Sequence, residues 1–137
     1  MSHYTEMKPK FLAKSESELI ASLKNFFGEN AVEVHDTAQK IGGFDSRANK
    51  KAHIIVRKEH VRKAGGSSYN DLGYERDKEG MYKLWADPSD FPQTAQDKIA
   101  QDYAERVATK KLKAQGYTFK REVLKNGVVK LVATKYS

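Results

Sequence analysis

RANKKAHIIVRKEHVRK, residues 47–63, holds most of the chain's excess charge around an apolar centre. At its centre Ile54, Ile55 and Val56 are three consecutive β-branched residues, which suit a pleated, packed backbone. They predict a strand over 52–58. Three apolar neighbours in a row place cover on both faces of that strand, so the stretch belongs to a folded core and not to a disordered basic tail. Around this centre stand seven Lys and Arg against Glu59 alone, which gives the stretch +6 of the chain's +7. Charge concentrated on one strand points to an anionic partner.

Working outward, the segment 3–12 alternates and reads as a strand, with Pro9 assigning it to an edge or a strand end. Ser15-Glu16-Ser17-Glu18 offers a capping hydroxyl and first-turn acids, and Leu19, Ile20, Leu23, Phe26 and Phe27 follow at helical spacing before Gly28. A second strand is expected over 31–41, ahead of a Gly42-Gly43 turn. The Gly/Ser-rich segment 63–71 reads as a mobile loop. Segments 72–76 and 81–86 make a hairpin around Asp77-Lys78-Glu79-Gly80. A long helix is expected from Thr94 to about Gln115, carrying an apolar stripe of Ala95, Ile99, Ala100, Tyr103, Ala104, Val107, Ala108 and Leu112. Asn126-Gly127 between two alternating segments, 117–125 and 128–136, marks a closing hairpin, because a type I′ turn needs positive φ at both central residues.

The order is β-α-β-β-β-β-α-β-β. It predicts one α+β domain over 1–137, a mainly antiparallel sheet of about seven strands with two helices on one face. In such a sheet the basic segment 117–137, net +4, could lie beside 47–63.

Composition narrows the function classes. A chain of 137 residues supplies one core. Seven Tyr, six Phe and one Trp are available for burial. The absence of Cys removes disulfides, thiol catalysis and thiolate metal sites. No apolar run approaches the roughly 20 residues of a membrane helix, and the N-terminus lacks the apolar stretch of a signal peptide. These readings place the protein in a cytoplasm, bacterial or organellar.

The residues that could carry chemistry read as structural. His35-Asp36, His53 and His60 do not have helix-borne ligand spacing, and on an extended chain His53 and His60 would lie roughly 20 Å apart. Asp71, Asp87 and Asp90 sit where Asp side chains satisfy turn amides. Gly65-Gly66-Ser67-Ser68 lacks the Gly-Lys-Ser/Thr of a phosphate loop, and no Gly-x-Ser-x-Gly is present. Neither a cofactor nor a metal is implied.

The words MSHYTEMK, AHIIVRKE, NDLGYE, Met81-Tyr82-Lys83-Leu84, QDYAERVATKKLKAQGY and NGVVKLVA carry a resemblance that runs nearly end to end. The chain resembles the uncharacterised small-protein family typified by hypothetical chloroplast reading frame thirty-five, with cyanobacterial, other bacterial and phage relatives. The resemblance implies a shared fold and no transferable activity or catalytic residues. It implies two partner classes, an AAA+ ATPase encoded nearby and, for phage relatives, a host enzyme to inhibit. The basicity of 47–63 and the Gly-rich loop depart from the family pattern.

The expected function is therefore a small non-enzymatic module whose basic face contacts a polyanion, nucleic acid first. Arg57, Lys58, Arg62 and Lys63 lead the polyanion-binding candidates, followed by Lys50 and Lys51 and joined by Lys120 and Arg121. Interleaved aromatics, Tyr117 and Phe119 among them, suit stacking on single strands. The alternative is a protein-binding adaptor or inhibitor facing an acidic surface. A small hydrolase using His35 or His53 with Asp36 or Asp87 is a third class.

Overall fold

The computed structural model describes residues 5–12, 15–42, 50–63, 70–86, 91–125 and 127–135. Their contacts cluster into two compact units, 1–103 and 104–137.

The first unit is built on an antiparallel sheet ordered β1-β5-β4-β3-β2. Its four-stranded body comprises β2 (Val32–Lys40), β3 (Lys51–Val56), β4 (Leu72–Arg76) and β5 (Met81–Ala86), and β1 (Thr5–Leu12) adds to the outer edge of β5. The chain starts on one edge, and α1 (Glu16–Phe27) carries it to the opposite edge at β2. Gly28, at φ 117°, ends that helix in a backbone conformation open chiefly to glycine. The β2–β3 ladder shifts register between Val34 and Gln39.

One face of the sheet carries the main core. Ile54 and Val56 of β3, Leu72 and Tyr74 of β4, and Tyr82, Leu84 and Ala86 of β5 pack with Leu19 and Leu23 of α1 and with Phe91 and Ile99. The period-2 burial of β5 follows from this one-sided packing. Ile55, between two core residues, points the other way and joins Ile41 and Ala52, with Trp85 packed against them. Cover on both faces of Ile54-Ile55-Val56 is what three apolar neighbours predict.

Gly73 makes the second cluster possible. It pairs with Ile55 on one side and Trp85 on the other. A Cβ there would stand 2.8 Å from the Ala52 Cβ and 2.9 Å from the Ile41 Cδ1. Only a residue without a side chain lets Ile41 settle onto the sheet.

Three corrections to the expected fold follow. A short helix, α2 (Lys58–Lys63), occupies what reads as the end of a basic strand; its one apolar residue, Val61, is buried in the main core. Among the described residues there are thus three helices, and the elements run β-α-β-β-α-β-β-α-β-β. The third correction concerns the sheet: β6 (Tyr117–Val123) and β7 (Val129–Lys135) form a separate two-stranded sheet, so 117–137 does not pair with the basic strand, whose neighbours are β2 and β4. Of the loop expected over 63–71, residues 64–69 lie outside the described residues; Lys63 ends α2, and Asn70 and Asp71 are buried.

The long helix α3 (Gln93–Ala114) begins in the first unit, where Ile99 is buried and Ala95 and Tyr103 pack on the core. Its second half belongs to the second unit with the hairpin. Of the expected apolar stripe only Ile99 is buried; Ala95, Ala100, Tyr103, Val107 and Leu112 are partly buried, and Ala104 and Ala108 are exposed. Gly116, at φ 87°, reverses the chain into β6. At the hairpin turn Gly127, at φ 82°, donates its N–H to the Leu124 carbonyl, so it closes the turn and is not one of its two central residues, whereas a type I′ reading of Asn126-Gly127 makes it one.

Candidate polyanion-binding surface

The basic stretch is split by the fold. Lys50 and Lys51 stand at the start of β3, and Lys58, Arg62 and Lys63 lie beyond its far end on α2. Six strand residues span on the order of 20 Å, so the two groups sit at opposite ends of the strand.

Between them Arg57 is engaged inside the fold. Its Nε donates to Glu33 Oε2 at 2.9 Å and its Nη2 to Glu33 Oε1 at 3.1 Å, a bidentate fork. Its Nη1 donates to Asp71 Oδ2 at 3.0 Å. The Asp71 carboxylate also accepts from the backbone N–H groups of Lys58 and Gly42, at 2.9 and 2.8 Å. The Arg57 guanidinium beside Glu33 holds that carboxyl below its usual range, against the opposing pull of partial burial. The same hydrogen bond raises Arg57. Two carboxylates match its charge, which ties β2, the start of α2 and the segment around Gly42 to one another.

The other candidates are distributed as follows. Lys51, Lys58, Arg62 and Lys63 are exposed. Lys51 faces Lys40 directly across the β2–β3 ladder, an arrangement that like charges disfavour. Lys50 places its Nζ 4.4 Å from the Trp85 ring centroid, and Lys83 places its own at 5.7 Å. The indole N–H donates to Glu75 Oε1 at 2.9 Å. Lys120 is exposed on β6; Arg121 is described only by its backbone pairing, opposite Leu131.

The second unit is where the net positive charge lies. Residues 104–137 hold nine Lys and Arg against Glu105 and Glu122, a net of +7. The first unit, with sixteen of each sign, is neutral. The six lysines at 110, 111, 113, 120, 125 and 130 are all exposed. Among the residues of this unit whose side chains are described none is buried, and Val123, Leu124, Val128 and Val132 are 37–62% exposed. The sequence contains this partition, but it becomes visible only once the boundary inside α3 is known.

The residues considered for hydrolysis are engaged separately. His35 Nε2 lies 2.9 Å from Glu33 Oε1. His53 Nδ1 accepts from the Arg76 backbone N–H at 3.1 Å, and burial, with Arg76 next, lowers its pKa. Asp87 and Asp90 lie outside the described residues. Among the described residues no group of three His, Asp or Glu is placed to hold a metal ion, and no helix is long and apolar enough to cross a membrane.

These features define an α+β protein with a neutral sheet unit and a strongly basic helix–hairpin unit. A model of the family described as proteins of unknown function, DUF1257, matches residues 29–132, and the chain belongs to that family. No curated protein and no solved structure matches the chain.

Proposed function

We propose that this protein is a small, non-enzymatic interaction module of the cytoplasm whose basic surface contacts a polyanion, with nucleic acid as the ligand. The observation that carries the reading is the charge partition, +7 on the second unit against zero on the first. Exposed ammonium groups at this density repel one another, and a phosphate backbone relieves the repulsion while releasing its own counterions. Lys120 belongs to this surface. Lys50 and Lys51 at one end of β3, and Lys58, Arg62 and Lys63 beyond the other, form two smaller basic patches, and Arg57 leaves the set because its charge is matched by Glu33 and Asp71. The finer kinship with the chloroplast reading-frame family and its phage relatives belongs to the same reading and assigns no activity.

The test is a titration of short labelled single- and double-stranded oligonucleotides against the full chain. Three to four phosphate contacts predict affinity falling about 20- to 50-fold between about 50 and 200 mM salt for single strands. The triple variant K111Q/K120Q/K130Q is expected to reduce the log–log salt slope by about 2. An absence of binding at low salt, or an unchanged slope in the triple variant, refutes the reading. A stoichiometric protein partner that survives nuclease treatment would favour the adaptor alternative.

A further inference from the structure

We infer that the tip of the β6–β7 hairpin docks into a protein partner whose surface combines an apolar patch with an acidic rim. Five large hydrophobic residues are exposed among the described ones, and four of them, Val123, Leu124, Val128 and Val132, belong to this hairpin. Three of those four flank the turn.

The tip is preorganised. Leu124 donates its backbone N–H to the Val128 carbonyl at 2.8 Å, and Gly127 donates to the Leu124 carbonyl at 2.9 Å. Val123 and Val129 form the next cross-strand pair. A closed turn presenting aliphatic side chains loses little further entropy on docking. An isolated two-stranded hairpin is marginal in water, so burial of this tip would also stabilise the hairpin itself.

Charge selects the occupant. A second copy would bring one +7 unit against another, which opposes self-association. A phosphate backbone gains little from valine and leucine. A bilayer is disfavoured because the exposed Lys125 stands inside the turn, next to Leu124, and would enter the hydrocarbon with it. A protein pocket can cover Leu124 and Val128 while an acidic group at its rim meets Lys125, with Lys120 and Lys130 exposed further along the strands.

The surface is separable from nucleic-acid contact, because aliphatic residues carry it. The test compares the full chain's binding to a random copolymer of glutamate and tyrosine with its binding to polyglutamate of equal length. The copolymer is expected to bind about tenfold tighter. The double variant L124S/V128S should abolish that preference while leaving its far-UV circular dichroism and oligonucleotide binding unchanged, and K111Q/K120Q/K130Q should weaken both polymers alike. Equal binding of the two polymers, or a preference insensitive to L124S/V128S, overturns the inference. So does binding to phosphatidylglycerol vesicles, or a dimer in sedimentation, that the double variant removes.

Discussion

Arg57 and Glu33, twenty-four residues apart, meet as a two-pronged ion pair, with contacts of 2.9 and 3.1 Å. The third arm of the guanidinium reaches Asp71, a carboxylate whose side chain is 7% exposed. Arg57→Ala would take the cation from that buried charge and leave it on the backbone N–H groups of Lys58 and Gly42. Because Arg57 is itself one-third exposed, the cost should fall at the lower end of the range for broken buried pairs, about 2–3 kcal/mol. Its exposed neighbour Lys58, replaced by Ala, should change stability by less than about 0.5 kcal/mol. Urea denaturation of the two variants checks the contrast; equal effects would show that the Arg57 pairing does not hold the fold. Reversing Arg57 to Glu would therefore perturb folding before it reported on ligand contact.

The same pair sets an acid limb. Glu33 has its pKa lowered in the folded state, chiefly by the Arg57 hydrogen bond. The stability it contributes is fully present above the unfolded value, about 4.3 for an unperturbed glutamate. It is lost as pH falls through the lowered folded value. Glu33→Gln should flatten the fall in urea midpoint between about pH 5 and pH 3 relative to wild type. An identical pH profile would show that the pair does not contribute.

This pairing also marks where sequence reading stops. Elements with local signals are legible: the β-branched centre of β3, the Asp77–Gly80 turn between β4 and β5, the Gly ends of α1 and α3, and the Asn-Gly hairpin. Local turn chemistry says that β6 pairs with β7 but not which sheet they join, so placing them beside β3 does not follow from it. The helix α2 is hidden because its six residues, KEHVRK, offer one apolar position, Val61, too few for a helical period. Arg57 reads as one more surface cation because its partners, Glu33 and Asp71, are brought to it by tertiary structure. The charge partition is fully present in the sequence, yet the boundary that reveals it falls within a continuous helix and has no compositional mark.

Gly73→Ala is expected to overpack the cluster of Ile41, Ala52 and Ile55. The new methyl would lie 2.8 Å from the Ala52 Cβ, an atom fixed to the neighbouring strand, and 2.9 Å from the Ile41 Cδ1. Overpacking of this kind costs about 1–3 kcal/mol. Shortening Ile41 to Val in the same chain should recover only part of the loss, since the Ala52 contact persists. Full recovery in the double variant, read from thermal denaturation, would assign the strain to Ile41 alone.

Stability should also decline on the alkaline side. Burial raises the Tyr82 phenol to about 12, helped by its hydrogen bond to Glu16 at 2.8 Å, and burial raises Tyr74 as well. A raised phenol contributes stability that is fully present below its unfolded value, about 10, and lost as pH rises through the folded value. Tyr82→Phe removes the Glu16 hydrogen bond, which should cost about 1 kcal/mol at neutral pH. It should also shrink the further loss seen above about pH 10. An undiminished alkaline loss in the variant would place its origin elsewhere, with Tyr74 the next group to replace.

Trp85, the only tryptophan, is held from three sides, and the three contacts should separate on mutation. Lys50→Met keeps an apolar stem over the ring but removes the ammonium 4.4 Å from its centroid, a loss of about 0.5–1 kcal/mol. Lys83, at 5.7 Å, should matter less. Trp85→Phe removes the indole N–H that meets Glu75 at 2.9 Å and leaves a smaller ring against Ile41, Ala52 and Ile55. It should cost more than either lysine change, about 2 kcal/mol, because it forfeits a charged hydrogen bond as well as packing. Tryptophan emission gives an independent reading in the lysine variants. Removing the Lys50 cation should alter its intensity, and removing Lys83 should alter it less. Equal stability losses in all three variants, with unchanged emission in Lys50→Met, would show that the ring is held by packing alone.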